Sequence, residues 1–135
     1  MTKKTIKSDA EKFDYTSIKT FEDACKKIGI EPAEPEIKAV HSEVIKSMVA
    51  YYKLVIIFLA INNGWKPDWS DRDQYKYFAW FWVLSSGFGF VDSLCVCDDA
   101  ISCAGSRLCT DTREKAKYVA AQFEDLYRDY LLYSE

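Results

Sequence analysis

The stretch Tyr75-Lys76-Tyr77-Phe78-Ala79-Trp80-Phe81-Trp82-Val83-Leu84 constrains the fold more than any other part of the chain. A β-strand sends alternate side chains to opposite faces, so its two faces can be read separately. One carries Tyr75, Tyr77, Ala79, Phe81 and Val83; the other carries Lys76, Phe78, Trp80, Trp82 and Leu84. Both are apolar, so the strand is either covered on both sides or offers one side to something else. A chain of 135 residues covers only one sheet face well, which points to a partner or ligand surface on the other. Aromatic residues make up 16% of the chain, and they are the side chains that interfaces favour.

The flanking sequence predicts an α+β domain. Residues 1–15 read as a flexible N-terminal tail and 16–135 as a single domain. Thr20 is the expected N-cap of a short helix over 21–28, with Gly29 in the left-handed position that ends it. Two prolines make 31–35 a linker. From Glu36, the steps Ile37, Val40, Val44, Met48, Tyr51, Tyr52, Val55 and Leu59 predict a long helix, which Asn62-Asn63-Gly64 ends. A helix of that length, roughly 40 Å at 1.5 Å per residue, is longer than a compact domain of this size needs. The loop over 64–74 is polar and pinned by Trp65 and Trp69. A turn at 85–87 leads to a second strand at 88–97, where Phe88, Phe90, Asp92, Leu94 and Val96 share a face. Arg107-Leu108-Cys109 reads as a short third strand. A final amphipathic helix follows, capped by Asp111 with Glu114 and striped by Ala116, Val119, Ala120, Phe123, Leu126, Tyr127, Tyr130 and Leu131. The expected architecture is a long helix and a C-terminal amphipathic helix on a three-stranded antiparallel sheet, in the order α-α-β-β-β-α.

Charge and composition narrow the function. A net charge of −3 and no evident basic patch argue against nucleic acid as a partner. The longest apolar run, Met48 to Ile61, contains Lys53 and falls short of the roughly 20 residues a bilayer requires, so no membrane is expected. The polar start has no apolar leader segment, and five cysteines, an odd number, read as free thiols in a reducing cytoplasm. Cys95-x-Cys97, Cys103 and Cys109 lack the usual paired zinc spacing. Cys25 with these four reads as small hydrophobic filler. His41 reads as an exposed helix residue without a catalytic partner, and Asp68, Asp71 and Asp73 lack the calcium-loop spacing. No cofactor, metal or enzymatic activity is expected.

One constellation is suited to ligand binding. Gly105-Ser106-Arg107 combines a turn glycine, a hydroxyl and a guanidinium just ahead of the last helix, whose free N–H groups favour anions. Trp65 and Trp69 flank Lys66-Pro67-Asp68, and Tyr75, Tyr77 and Trp80 lie on the adjoining strand. Convergence of Ser106, Arg107, Trp65, Trp69, Tyr75, Tyr77 and Trp80 would make a cationic spot walled by aromatics, fit for an anionic, nucleotide-like molecule. The same Arg107 would otherwise serve as a structural ion-pair partner of Asp98, Asp99 or Asp111.

Three stretches resemble a known family: Gly64-Trp65-Lys66-Pro67-Asp68-Trp69, Gln74-Tyr75-Lys76-Tyr77-Phe78-Ala79-Trp80-Phe81, and Gly105-Ser106-Arg107-Leu108-Cys109 with the helix ending Phe123-Glu124-Asp125-Leu126-Tyr127. Together, over roughly residues 20–132, they resemble small uncharacterised proteins encoded by phages and prophages of Bacteroidales gut bacteria, including crAss-like phages. Members often carry proline where Ala79 stands and Phe-Lys where Thr110-Asp111 stands. The resemblance implies a phage setting and brings no chemistry with it. Two expectations follow. The first is an accessory binding protein in the cytoplasm of the infected bacterial host, capturing a host protein or small anionic ligand and countering host defence. The second is a virion component, in the head or tail, that uses the aromatic sheet face as its subunit contact. In either setting a homo-oligomer, most simply a dimer, is expected.

Overall fold

The computed structural model describes residues 13–85, 87–96 and 105–133. Within them the chain is α+β: four α-helices and one two-stranded antiparallel sheet. A 3₁₀ turn, Tyr15–Ser17, precedes α1 (Phe21–Ile28) and α2 (Ser42–Asn62). The hairpin β1 (Lys76–Leu84) and β2 (Gly87–Val96) follows, and α3 (Arg113–Gln122) and α4 (Glu124–Leu131) close the chain.

The expected tail falls mostly on residues 1–12, outside the described residues, but Phe13 and Tyr15 pack against the core. Asp14 caps the 3₁₀ turn by accepting from Thr16 N and Thr16 Oγ1. In α1, Thr20 and Asp23 form a reciprocal capping box, and Gly29 ends the helix at φ 78°, a conformation glycine adopts without steric cost.

The long helix starts later than the apolar spacing predicts. Backbone at 31–41 is irregular, with Ala39 at positive φ, and α2 begins after His41. His41 is therefore an N-cap, not a helix residue: its Nδ1 accepts from Glu43 N at 3.3 Å. The 21 residues that remain span about 32 Å, which removes the excess length. By length and composition α2 is long and apolar enough to cross a membrane, with a mean hydropathy of 2.0. Within the protein it supplies the centre of the core through Leu54, Ile57, Phe58 and Ile61. Helix α2 packs on α1 and α4, while α3 packs across both strands.

Two expected features of the sheet change. The third strand is not formed among the described residues, and a single bridge at Thr110 takes its place. Gly105 opens a turn over 105–108 at φ 57°, and the Cys109 thiol donates to the Gly105 carbonyl. The chain is thereby coiled until Thr110, which exchanges two hydrogen bonds with Tyr77 at 2.8 and 2.9 Å. Second, the face expected to unite Phe88, Phe90, Asp92, Leu94 and Val96 is broken by a register shift opposite Trp80/Phe81. Phe88 lies opposite Val83 but Asp92 lies opposite Trp80, and those two belong to different faces of β1.

The last helix is likewise not one piece. Its N-cap is Thr112, whose Oγ1 accepts from Lys115 N, and Asp111 instead pairs with Lys115 Nζ at 2.8 Å. The helix is interrupted at Phe123 (φ −118°, ψ 31°). The two halves serve different neighbours: Val119 and Ala120 are buried in α3, which lies against the hairpin. In α4, Tyr130 stacks on Tyr51 of α2 at 5.3 Å.

Candidate anionic-ligand cleft

The cleft is built outward from the end of α2. Asn63 (φ 47°) and Gly64 (φ 92°) turn the chain, and Trp65 N bonds Asn62 O at 3.0 Å. Side chains then fold the 65–74 loop. Asp68 Oδ1 accepts from Ser70 N and Ser70 Oγ, Gln74 Oε1 accepts from Asp68 N, and Asp71 Oδ1 accepts from Asp73 N. Asp68 and Asp71 are thus turn acceptors, Asp73 takes part through its backbone N–H, and the Ser70 bonds hold the Asp68 carboxyl below the ordinary carboxylate range.

Even-numbered residues of β1 seat this loop. Trp65, Trp69 and Trp80 pack on a small core of Phe78 and Cys109. Lys76 is completely buried beneath it, donating from Nζ to Asp71 O at 3.0 Å with Nζ 5.1 Å from the Trp69 ring centroid. The 105–108 turn docks onto the same unit. Trp69 Nε1 donates to Ser106 Oγ at 2.6 Å, and Asn62 Nδ2 donates to Cys109 O at 2.8 Å.

The result is an open cleft of about 370 Å³ lined on one side by Val55, Leu59 and Asn62 of α2 and on the other by Trp65, Lys66, Pro67, Trp69, Ser106 and Arg107. Four of the seven expected site residues therefore come together: Trp65, Trp69, Ser106 and Arg107. Trp80 is a support behind the tryptophans rather than a wall. Tyr75 and Tyr77 do not join them. Strand alternation puts both on the other face, where Tyr75 stacks on Tyr77 at 6.4 Å and the Arg113 guanidinium lies 5.3 Å from the Tyr77 ring. Nor does the start of the last helix line the cleft, because the bridge at Thr110 carries the chain away first.

Arg107 is exposed and has no ion-pair partner among the described residues; Asp111 is engaged by Lys115, and Asp98 and Asp99 lie outside those residues. Lys66, which the sequence reading did not single out, adds a second exposed cation. Asn62 was missed as well, its neighbours Asn63 and Gly64 marking it only as a helix terminator. It is buried, and its Oδ1 has no donor among the described residues. Lys76 had a legible signal: a lysine on the Phe78–Trp80 face must bury its stem and find a carbonyl.

Of the cysteines, Cys25 and Cys109 are buried, and burial, then Glu22, pushes the Cys25 thiol up. Cys97 and Cys103 lie outside the described residues. Among the described residues no three His, Cys, Asp or Glu side chains gather as a metal-binding group. Fold and cleft together define a small α+β protein with an aromatic, cationic recess beside its central helix. In comparisons with family models, curated proteins and solved structures, nothing matches the chain.

Proposed function

We propose that the protein is a non-enzymatic binding module that captures a small anionic, nucleotide-like ligand in the Trp65–Trp69–Arg107 cleft. The observation that carries this reading is the convergence of two tryptophans, a hydroxyl and two exposed cations on one recess beside an apolar helix face. Arg107 offers a planar fork to a phosphate, Lys66 a second positive charge, and the Ser106 hydroxyl a hydrogen while its oxygen accepts from Trp69. A base or other flat ring would lie against Trp65 or Trp69, over Val55 and Leu59. The resemblance to phage proteins supplies the setting: an accessory protein in the cytoplasm of an infected bacterium, withholding such a ligand, or a host protein, from host defence.

Calorimetry with a panel of AMP, ADP, ATP and GMP tests this. At least one should bind the wild type, and Arg107→Ala should weaken it about 10- to 150-fold, the effect of losing a charged hydrogen bond. A panel without binding, or equal affinity in Arg107→Ala, would refute the reading.

A second reading, a virion component whose subunits meet through the aromatic hairpin, is favoured by one observation. Trp82, Val83 and Leu84 at the hairpin tip are 51%, 58% and 55% exposed. Abundant peptides of this protein in purified virions would support it over the first.

A further inference from the structure

A second cleft of about 520 Å³ adjoins the first. It is lined by Ser47, Met48 and Tyr51 of α2, Tyr130 of α4, and Gly105, Ser106 and Arg107. Both clefts use Ser106 and Arg107, so the 105–107 turn is a ridge with a recess on either side. Each recess has its own aromatic wall. Trp65 and Trp69 form one, and Tyr51 and Tyr130, with ring centroids 5.3 Å apart, form the other. Helix α2 floors both, with Met48 and Tyr51 in one recess and Val55, Leu59 and Asn62 in the other.

We propose that the two recesses are halves of one site for a dinucleotide, two base-sized rings joined by a phosphate linker that crosses Ser106 and Arg107. This rests on the nucleotide reading above and extends it. The spacing selects the ligand. Tyr51 and Leu59 are eight residues apart on one helix, about 12 Å along its axis, so rings stacked at roughly 3.4 Å cannot reach both recesses. A splayed pair on a phosphate linker can, with the charge falling where the guanidinium and the hydroxyl stand. A mononucleotide fills one recess and leaves the other to water. The ridge is anchored at Ser106 Oγ by Trp69 Nε1 and at Gly105 O by the Cys109 thiol, so Gly105 and Ser106 are held before ligand arrives.

The test compares ADP with di-adenosine 5′,5′-diphosphate by calorimetry. Both carry one diphosphate, and the second compound has the lower charge, so tighter binding of it reports the second ring and not electrostatics. The expected result is an affinity about 5- to 150-fold higher than that of ADP, the worth of one added base stack. Tyr51→Ala should abolish that advantage and leave ADP binding intact. Met48→Trp, at a position 44% exposed, should fill the second recess and remove the same advantage without placing a charge beside Arg107. Equal affinity for the two compounds would overturn the dinucleotide site while leaving the nucleotide reading standing. An advantage that survives both variants would place the second ring elsewhere and also overturn it. Failure of the di-adenosine compound to bind would overturn the dinucleotide site alone, and failure of the whole nucleotide panel as well would overturn both.

Discussion

Asn62 and Lys76 hold the cleft together without lining it with charge. Asn62 ties the end of α2 to the Cys109 carbonyl, and Asn62→Ala leaves that buried acceptor bare. Loss of about 1–3 kcal/mol in urea unfolding is expected, with weaker nucleotide binding because the 105–108 turn loses its anchor. An unchanged unfolding midpoint would show that the carbonyl finds water instead. Lys76→Met keeps the buried stem but removes the bond to Asp71 O and the cation beside Trp69. It should loosen the 65–74 loop and shift Trp69 emission while the helical signal stays. Residue types in the site were legible because Trp, Arg and Ser are distinctive. Their grouping was only half legible, since strand parity separates Tyr77 from Trp80 whereas nothing local reveals that the 105–107 turn docks against Trp69.

At the scale of elements, caps and periodicity gave boundaries wherever the signal was local. Thr20 and Gly29 delimit α1 as their residue types require. The start of α2 was misplaced because Ile37 and Val40 continue an apolar rhythm that the Ala39 backbone interrupts. The third strand failed for a comparable reason: a glycine-led turn and a thiol-to-carbonyl bond outweigh the strand propensity of three residues. Phe58, fully buried in α2, should cost about 3–5 kcal/mol on replacement by alanine, measured by denaturant unfolding. Acid stability follows from the turn-capping aspartates. Hydrogen bonds from Thr16 lower the Asp14 pKa, and bonds from Ser70 lower that of Asp68, both from 3.8. A lowered folded-state pKa gives stability that is present above 3.8 and is lost as pH falls through the folded value. Unfolding midpoints should therefore be flat near neutrality and drop below about pH 4, with a shallower drop in Asp14→Asn and Asp68→Asn. An identical acid limb in both variants would assign the effect to other carboxylates.

For the whole molecule, the α+β class was readable from the sequence, while the way the layers close depends on contacts between distant residues. Tyr118 illustrates this, donating to Ile18 O at 2.7 Å across a hundred residues of sequence. Burial of Cys25 and Cys109 predicts resistance to alkylation in the native state. Mass mapping after iodoacetamide treatment should find both unmodified until urea is added; rapid native labelling would mean that the core opens. The central claim, that the recess between α2 and the 105–108 turn holds an anionic ring-bearing ligand, is tested most directly by the tryptophan indole N–H signals. These can be assigned with single Trp→Phe variants and followed by NMR during titration with ADP. The Trp65 and Trp69 signals should shift saturably, that of Trp69 most, as its hydrogen bond to Ser106 is perturbed, while exposed Trp82 at the hairpin tip stays in place. Unmoved Trp65 and Trp69 signals, or a saturable shift confined to Trp82, would contradict it.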